Sequence, residues 1–173
     1  HRLLERVVRK FDYLIDLHTA SFGRANTLYV RADLSHADAY WMAMAQQPQI
    51  ILHNPGADGT LRAAAMGLGI PSITVEVGDP QLFQVDMIRS GLRGVSNVLA
   101  RLNMVPEASQ EDVTPPVICS RAYWVHTDHG GLLEVFVELG EQVSAGQCLA
   151  QVNNVFGDVL AKYHAVEDAI VIG

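Results

Sequence analysis

The first half of the chain alternates short apolar runs with segments of helical periodicity, and this alternation constrains the fold most strongly. The apolar runs lie at 13–17, 49–53 and 72–77. Strands that alternate with helices favour a largely parallel sheet with helices on both faces. We therefore predict an α/β domain over 1–105, with a mostly parallel sheet flanked by helices. Within it, Pro80 is a favourable first residue for a long helix that reaches about Met104.

A different pattern begins after a polar segment at 106–116, which contains adjacent prolines and which we predict to be a linker. Beyond it, helical spacing gives way to short runs bounded by glycines. Such runs are typical of strands joined by tight turns. The sequence therefore predicts a small all-β, barrel-like domain over 117–173.

Composition excludes several classes of partner. The chain has 173 residues and a net charge of −7, with dispersed Lys and Arg, which argues against binding to nucleic acid or an anionic membrane. No apolar run approaches the roughly 20 residues of a membrane span. Cys119 and Cys148 are too few for a disulfide scaffold. We expect a soluble cytoplasmic protein with a small-molecule partner and, because the chain opens at His1 without a Met, a fragment of a longer protein.

Two polar side chains end strand-like runs and are the strongest candidates for a functional site. His18 follows the run at 13–17, and Glu76 lies near the end of the run at 72–77. A buried carboxylate is costly unless a cation neutralises it or it lies at the rim of a cleft. A lone histidine can equally be a hydrogen-bonded structural residue. Because ligands of open α/β sheets gather at the carboxyl ends of strands, we predict that His18 and Glu76 share a site.

At these residues the chain resembles the succinylglutamate desuccinylase and aspartoacylase family, zinc-dependent deacylases related to the zinc carboxypeptidases. The strings at 16–19 (Asp-Leu-His-Thr) and 76–81 (Glu-Val-Gly-Asp-Pro-Gln) carry the resemblance. It implies that His18 is a zinc ligand and Glu76 the general base. It also implies hydrolysis of the amide bond of an N-acyl amino acid or a related small molecule.

Further residues have weaker assignments. The resemblance implies that Arg62 contacts a substrate carboxylate, although it could simply cover a helix face. Arg24 and Asn26, in the loop after His18, are candidates of the same kind. Asp16 lies two residues before His18 on the same strand face, so it could orient the imidazole, or it could be solvated.

The family's other two zinc ligands come from a His-x-x-Glu motif upstream of the matching histidine, which would lie before His1. The string at 164–167 has the same spacing, but it falls in the predicted β domain and we interpret it as unrelated. We expect one zinc ion in the intact parent. For this fragment we expect weak or no zinc binding and no activity, because a catalytic zinc needs three protein ligands.

An alternative function starts from the β domain, where residues 140–150 resemble the turn and strand of biotinyl and lipoyl carrier domains. The protein would then be a non-catalytic carrier or binding module. A carrier displays a lysine at a hairpin tip, but the tip at 153–158 has none and Lys162 lies in the next strand. The β domain could instead shape the deacylase cleft or mediate homo-oligomer contacts, with an exposed strand edge completed by another chain.

Overall fold

The computed structural model describes residues 2–56, 59–106 and 114–173, which form two compact units, 1–122 and 123–173. Most of the predicted linker, 107–113, lies outside the described residues, and that assignment stays a prediction. Among the described residues, no helix is long and apolar enough to cross a membrane.

The first unit contains a five-stranded sheet with the order β1-β4-β2-β3-β5. The strands are β1 (Leu14–His18), β2 (Tyr29–Ala32), β3 (Ile50–His53), β4 (Ser72–Glu76) and β5 (Val117–Cys119). The helices are α1 (Arg2–Arg6), α2 (Ala37–Ala45), α3 (Leu61–Met66) and α4 (Val85–Arg101), and a 3-10 turn spans Val8–Lys10. The β1–β4, β2–β3 and β3–β5 pairs are parallel, whereas β2 and β4 are antiparallel. The predicted α/β fold is therefore confirmed, with one antiparallel pairing inside the sheet.

Helices cover the two faces of this sheet because strand side chains alternate between them. On one face, strand residues such as Val30 and Ile73 pack with Met42 of α2 and Val98 of α4. On the other face, Ala65 of α3 packs with Leu14, at the start of β1. Asp16 and His18, which share this face with Leu14 towards the carboxyl end of β1, are polar.

Two sequence predictions need correction. Val117–Cys119 was assigned to the β domain, but it pairs in parallel with β3 and completes the sheet of the first unit. The long helix begins at Val85 instead of Pro80. Before it, the Asp79 carboxylate accepts a hydrogen bond from the Gln81 backbone N–H at 2.7 Å, which closes a local turn where a helix was expected.

The second unit consists of antiparallel strands. They are β6 (Leu132–Val135), β7 (Gln142–Val143), β8 (Cys148–Asn153), β9 (Val159–His164) and β10 (Ala169–Ile170). One sheet has the order β6-β8-β9, and β7 pairs with β10. Closure into a barrel stays a prediction. Lys162 lies inside β9, opposite Gln151, and not at a hairpin tip.

Candidate active site

His18 and Glu76 are paired in register at the carboxyl ends of adjacent parallel strands. His18 is the last residue of β1 and Glu76 the last residue of β4, and their Cα atoms are direct partners. Residues paired in this way project from the same face of a sheet. The structure therefore brings together the two side chains that the sequence singled out.

The imidazole of His18 has a carboxylate beside it. His18 Nε2 lies 3.1 Å from Asp16 Oδ2, and the His18 side chain is 48% exposed. A carboxylate on one ring nitrogen fixes the orientation of a histidine and directs the other nitrogen, here Nδ1, towards a ligand. Of the two alternatives left open for Asp16, the structure shows the contact with the imidazole, and its role in orienting a metal ligand stays a prediction.

These residues do not by themselves fit a zinc ion. Among the described residues, no group of three or more His, Cys, Asp or Glu side chains is arranged to hold a metal. A catalytic zinc needs three protein ligands and an open position. In the described part of the chain, the donor set at this site is His18 with its partner Asp16.

Glu76 is buried, and both of its carboxylate oxygens have partners. The residue is 8% exposed. Its Oε2 accepts a hydrogen bond from Asn26 Nδ2 at 3.2 Å, and its Oε1 lies 3.6 Å from Arg31 Nε. Asn26 thus contacts the predicted base, and its role in substrate binding stays a prediction.

The turn after Glu76 holds the loop that carries Asn26. The Gly78 carbonyl accepts hydrogen bonds from the backbone N–H of Ala20 at 3.0 Å and of Asn26 at 3.4 Å. Gly78 has a φ of +65°, and a Cβ there would overlap the Gln84 side-chain oxygen. Because a φ in this left-handed region favours glycine, the Glu-Val-Gly string has a structural reason beside Glu76.

Arg31 and Tyr29 are site residues that the sequence analysis missed. In the antiparallel pairing of β2 with β4, Tyr29 lies opposite Glu76 and Arg31 opposite Thr74. Arg31 donates hydrogen bonds to the Tyr29 hydroxyl from Nε at 3.2 Å and from Nη2 at 2.6 Å. Burial raises the pKa of the Tyr29 phenol above its usual value, and the bond from Arg31 opposes that rise. An arginine inside a short, otherwise apolar strand was the available signal.

Arg62 lies in α3, and its buried side chain is held by hydrogen bonds to Asn54. It is 4% exposed, and its Nη1 and Nη2 donate to the backbone carbonyl and the side-chain oxygen of Asn54, both at 2.7 Å. These bonds involve two of the five N–H donors of a guanidinium. Burial lowers the pKa of Arg62, and the positive charge of Arg31 lowers it further. Arg24 lies exposed in the loop after β1.

An open apolar groove of about 580 Å³ lies beside His18. It runs along β1, which is an edge strand, and along the amino-terminal half of α4. Its large apolar side chains are exposed to solvent, as Leu17 (58%), Leu82 (62%) and Leu92 (65%) show.

Comparisons with known proteins agree with this fold. Solved structures that resemble the chain include the ectoine utilization protein EutE (DoeB) from Ruegeria pomeroyi, with 19% identity and a TM-score of 0.84 over 98% of this chain and 57% of that chain. A succinylglutamate desuccinylase from Silicibacter sp. has 18% identity and a TM-score of 0.83, over 98% of this chain and 55% of that chain. A succinylglutamate desuccinylase/aspartoacylase from Rhodobacter sphaeroides has 23% identity and a TM-score of 0.83, over 100% and 56%.

The chain thus spans just over half the length of these relatives. No match was found among curated proteins. At these identities the structural likeness shows the fold. A model of the succinylglutamate desuccinylase/aspartoacylase catalytic domain matches residues 1–102, more than half of the sequence. The chain therefore belongs to the succinylglutamate desuccinylase/aspartoacylase family.

Proposed function

We propose that the whole protein containing this sequence is a zinc-dependent deacylase that hydrolyses the amide bond of an N-acyl amino acid or a related small molecule. Membership of the family supports the reaction class. The observation that carries the proposal is the in-register pairing of His18 with Glu76 at the carboxyl ends of β1 and β4. An imidazole beside a carboxylate supports this reaction, because metal-assisted hydrolysis needs a metal ligand close to a proton acceptor.

His18 would supply one zinc ligand through Nδ1, because Asp16 lies against Nε2. The described residues offer no complete ligand set, so the other two ligands would come from elsewhere in the whole protein. The open edge of β1 and the apolar groove beside His18 are consistent with further polypeptide packing there. When bound, zinc would polarise the acyl carbonyl as a Lewis acid.

Glu76 would accept a proton from the attacking water and pass it to the departing amine, acting first as general base and then as general acid. Its carboxylate is held by Asn26 and lies beside Arg31, so its position at the end of β4 is defined. Positioning of this kind brings a catalytic group into reaction geometry before substrate arrives.

Substrate would be held by positive charge on the same side of the sheet. Arg62 remains the candidate for a substrate carboxylate, because a guanidinium keeps donors beyond its two bonds to Asn54. The electrostatic effect of Arg31 on the Arg62 pKa supports the closeness of the two cations. Arg24 is a second candidate, from the exposed loop.

The test is to express the whole protein with the residues that flank this sequence, measure its zinc content and screen N-acyl amino acids. We expect Glu76→Gln to lower kcat by about 10²–10⁴-fold while zinc content is retained. His18→Ala should lower zinc content. Glu5→Gln is the matched control, because Glu5 is exposed on α1 and pairs with Arg9. Wild-type turnover in Glu76→Gln would refute the assigned proton transfer.

A further inference from the structure

We infer that Arg31, braced by Tyr29, is a positioning residue for Glu76. The inference rests on the proposed function and adds two residues to it. Arg31 would act through the carboxylate of Glu76 and not by touching substrate.

Two separate segments restrain the Glu76 carboxylate, one at each oxygen. Asn26, from the loop after β1, donates to Oε2 at 3.2 Å. Arg31, from β2, lies 3.6 Å from Oε1. With both oxygens restrained, rotation of the carboxylate would disturb at least one partner.

Arg31 is itself held in place. An arginine side chain has many rotamers, and fixing one costs conformational entropy. Here Nε and Nη2 both donate to the Tyr29 hydroxyl, and the guanidinium carbon lies 5.4 Å from the centre of the Tyr29 ring. Tyr29 is only 2% exposed and lies opposite Glu76 in the strand pairing, so the guanidinium is held by a buried ring.

The contact between Arg31 and Glu76 is ionic. At 3.6 Å, the Nε–Oε1 separation is longer than a hydrogen bond but within reach of ionic attraction. The shorter bonds of Arg31 go to Tyr29. Arg31 therefore attracts Oε1 by charge and does not bind that oxygen through a close N–H donor.

A simpler role would be neutralisation of a buried acid, and two conservative variants separate it from positioning. Arg31→Lys keeps the charge but loses the planar fork that Tyr29 holds. Tyr29→Phe keeps the ring and removes only the hydroxyl. If Arg31 merely neutralises Glu76, both variants should keep the wild-type kcat per folded molecule. If Arg31 positions Glu76, both should lower kcat.

The experiment measures kcat, KM and urea unfolding for these variants and for Arg31→Met in the whole protein. We expect kcat to fall about 10- to 100-fold in Arg31→Met, and at least several-fold in Tyr29→Phe, with KM unchanged. A further variant, Arg31→Ala, leaves space for a free guanidinium ion. Guanidinium added below denaturing concentrations should restore part of the kcat lost in this variant. Arg9→Met is the matched control, because Arg9 is an exposed arginine that pairs with Glu5.

A double-mutant cycle of Arg31→Met and Glu76→Gln on unfolding of the present chain tests the contact without any need for activity. The two variants together should change the unfolding constant less than the product of their separate effects. Multiplicative effects of the two substitutions on the unfolding constant would overturn the inference. So would a raised KM with unchanged kcat in the Arg31 variants, or a wild-type kcat in Tyr29→Phe. If Glu76→Gln is fully active, the proposed function fails. If Glu76→Gln is inactive while the Arg31 variants keep wild-type kcat, only this inference fails.

Discussion

Gly91 and Gly94 of α4 have different neighbours, so substitution by alanine should have opposite effects on stability at these two positions. A Cβ at Gly94 would lie 2.9 Å from the Gln46 Cα, a backbone atom, and would also overlap the Gln46 side-chain oxygen. A Cβ at Gly91 would meet the two methyl carbons of Val77, at ordinary contact distances of 3.7 and 3.9 Å. We therefore expect Gly94→Ala to destabilise the first unit and Gly91→Ala to stabilise it.

The magnitudes follow from two terms. Replacing a helical glycine by alanine stabilises by about 0.5–1 kcal/mol, because the unfolded chain loses freedom. Forcing an extra methyl into a packed interface costs about 1–3 kcal/mol, and the cost is highest against backbone that cannot rotate away. For Gly94→Ala the second term exceeds the first, and the net loss should be about 1–2 kcal/mol. For Gly91→Ala only the first term applies.

Trp41 in α2 provides the assay. Its ring contacts Tyr13 with centroids 5.9 Å apart, and the Arg101 guanidinium carbon lies 4.9 Å from its centre. Since Arg101 ends α4, Trp41 fluorescence reports on the α2–α4 contact, and a Trp124→Phe background removes the signal of the second unit. Urea unfolding in that background should give free energies that move in opposite directions for the two variants. Changes of the same sign and size would show that close packing at Gly94 does not control stability.

Two further predictions concern the first unit. Thr60→Ala should lower the free energy of unfolding by about 1 kcal/mol in urea denaturation, because the Thr60 hydroxyl accepts a hydrogen bond from the Ala63 N–H at 3.1 Å and caps α3. Thr60→Ser keeps the hydroxyl and should not lower it. Equal losses in the two variants would contradict the capping role. Burial raises the pKa of the Cys119 thiol, so iodoacetamide at pH 8 should alkylate Cys119 more slowly than an unstructured cysteine peptide, with the difference narrowing as pH rises. Equal rates at pH 8, measured by mass spectrometry, would contradict it.

The strand ends of the candidate site were predictable from the sequence because local patterns encode them. Apolar runs at 13–17 and 72–77 mark β1 and β4, and a polar residue at each carboxyl end is visible without coordinates. The exact pairing of His18 with Glu76 was not predictable. Register depends on how β1 packs against β4 through contacts distant in sequence, and a one-residue slip would have turned one side chain to the other face.

Arg31 was missed for a related reason. Its strand is four residues long, too short for a clear alternation between faces. The sequence did predict that a buried Glu76 needs a cation or a cleft, but the identity of the cation depends on the antiparallel β2–β4 pairing.

Three-residue β5 was assigned to the wrong unit because so short a run carries no information on its partner. The start of α4 was also misplaced, because the Asp79 carboxylate closes a local turn with the Gln81 N–H and the helix begins only at Val85.

The two principal residues of the candidate site are held by separate partners, and this separation has a functional consequence. Asp16 lies against His18 from the same strand, whereas Glu76 is held by Asn26 and Arg31 from other segments. Since a change at the His18 side chain removes neither Asn26 nor Arg31, the two described partners of the Glu76 carboxylate, we expect that carboxylate to keep its position. In the proposed function, the side of the site with His18 would hold the metal, and the side with Glu76, supported by other segments, would move the proton.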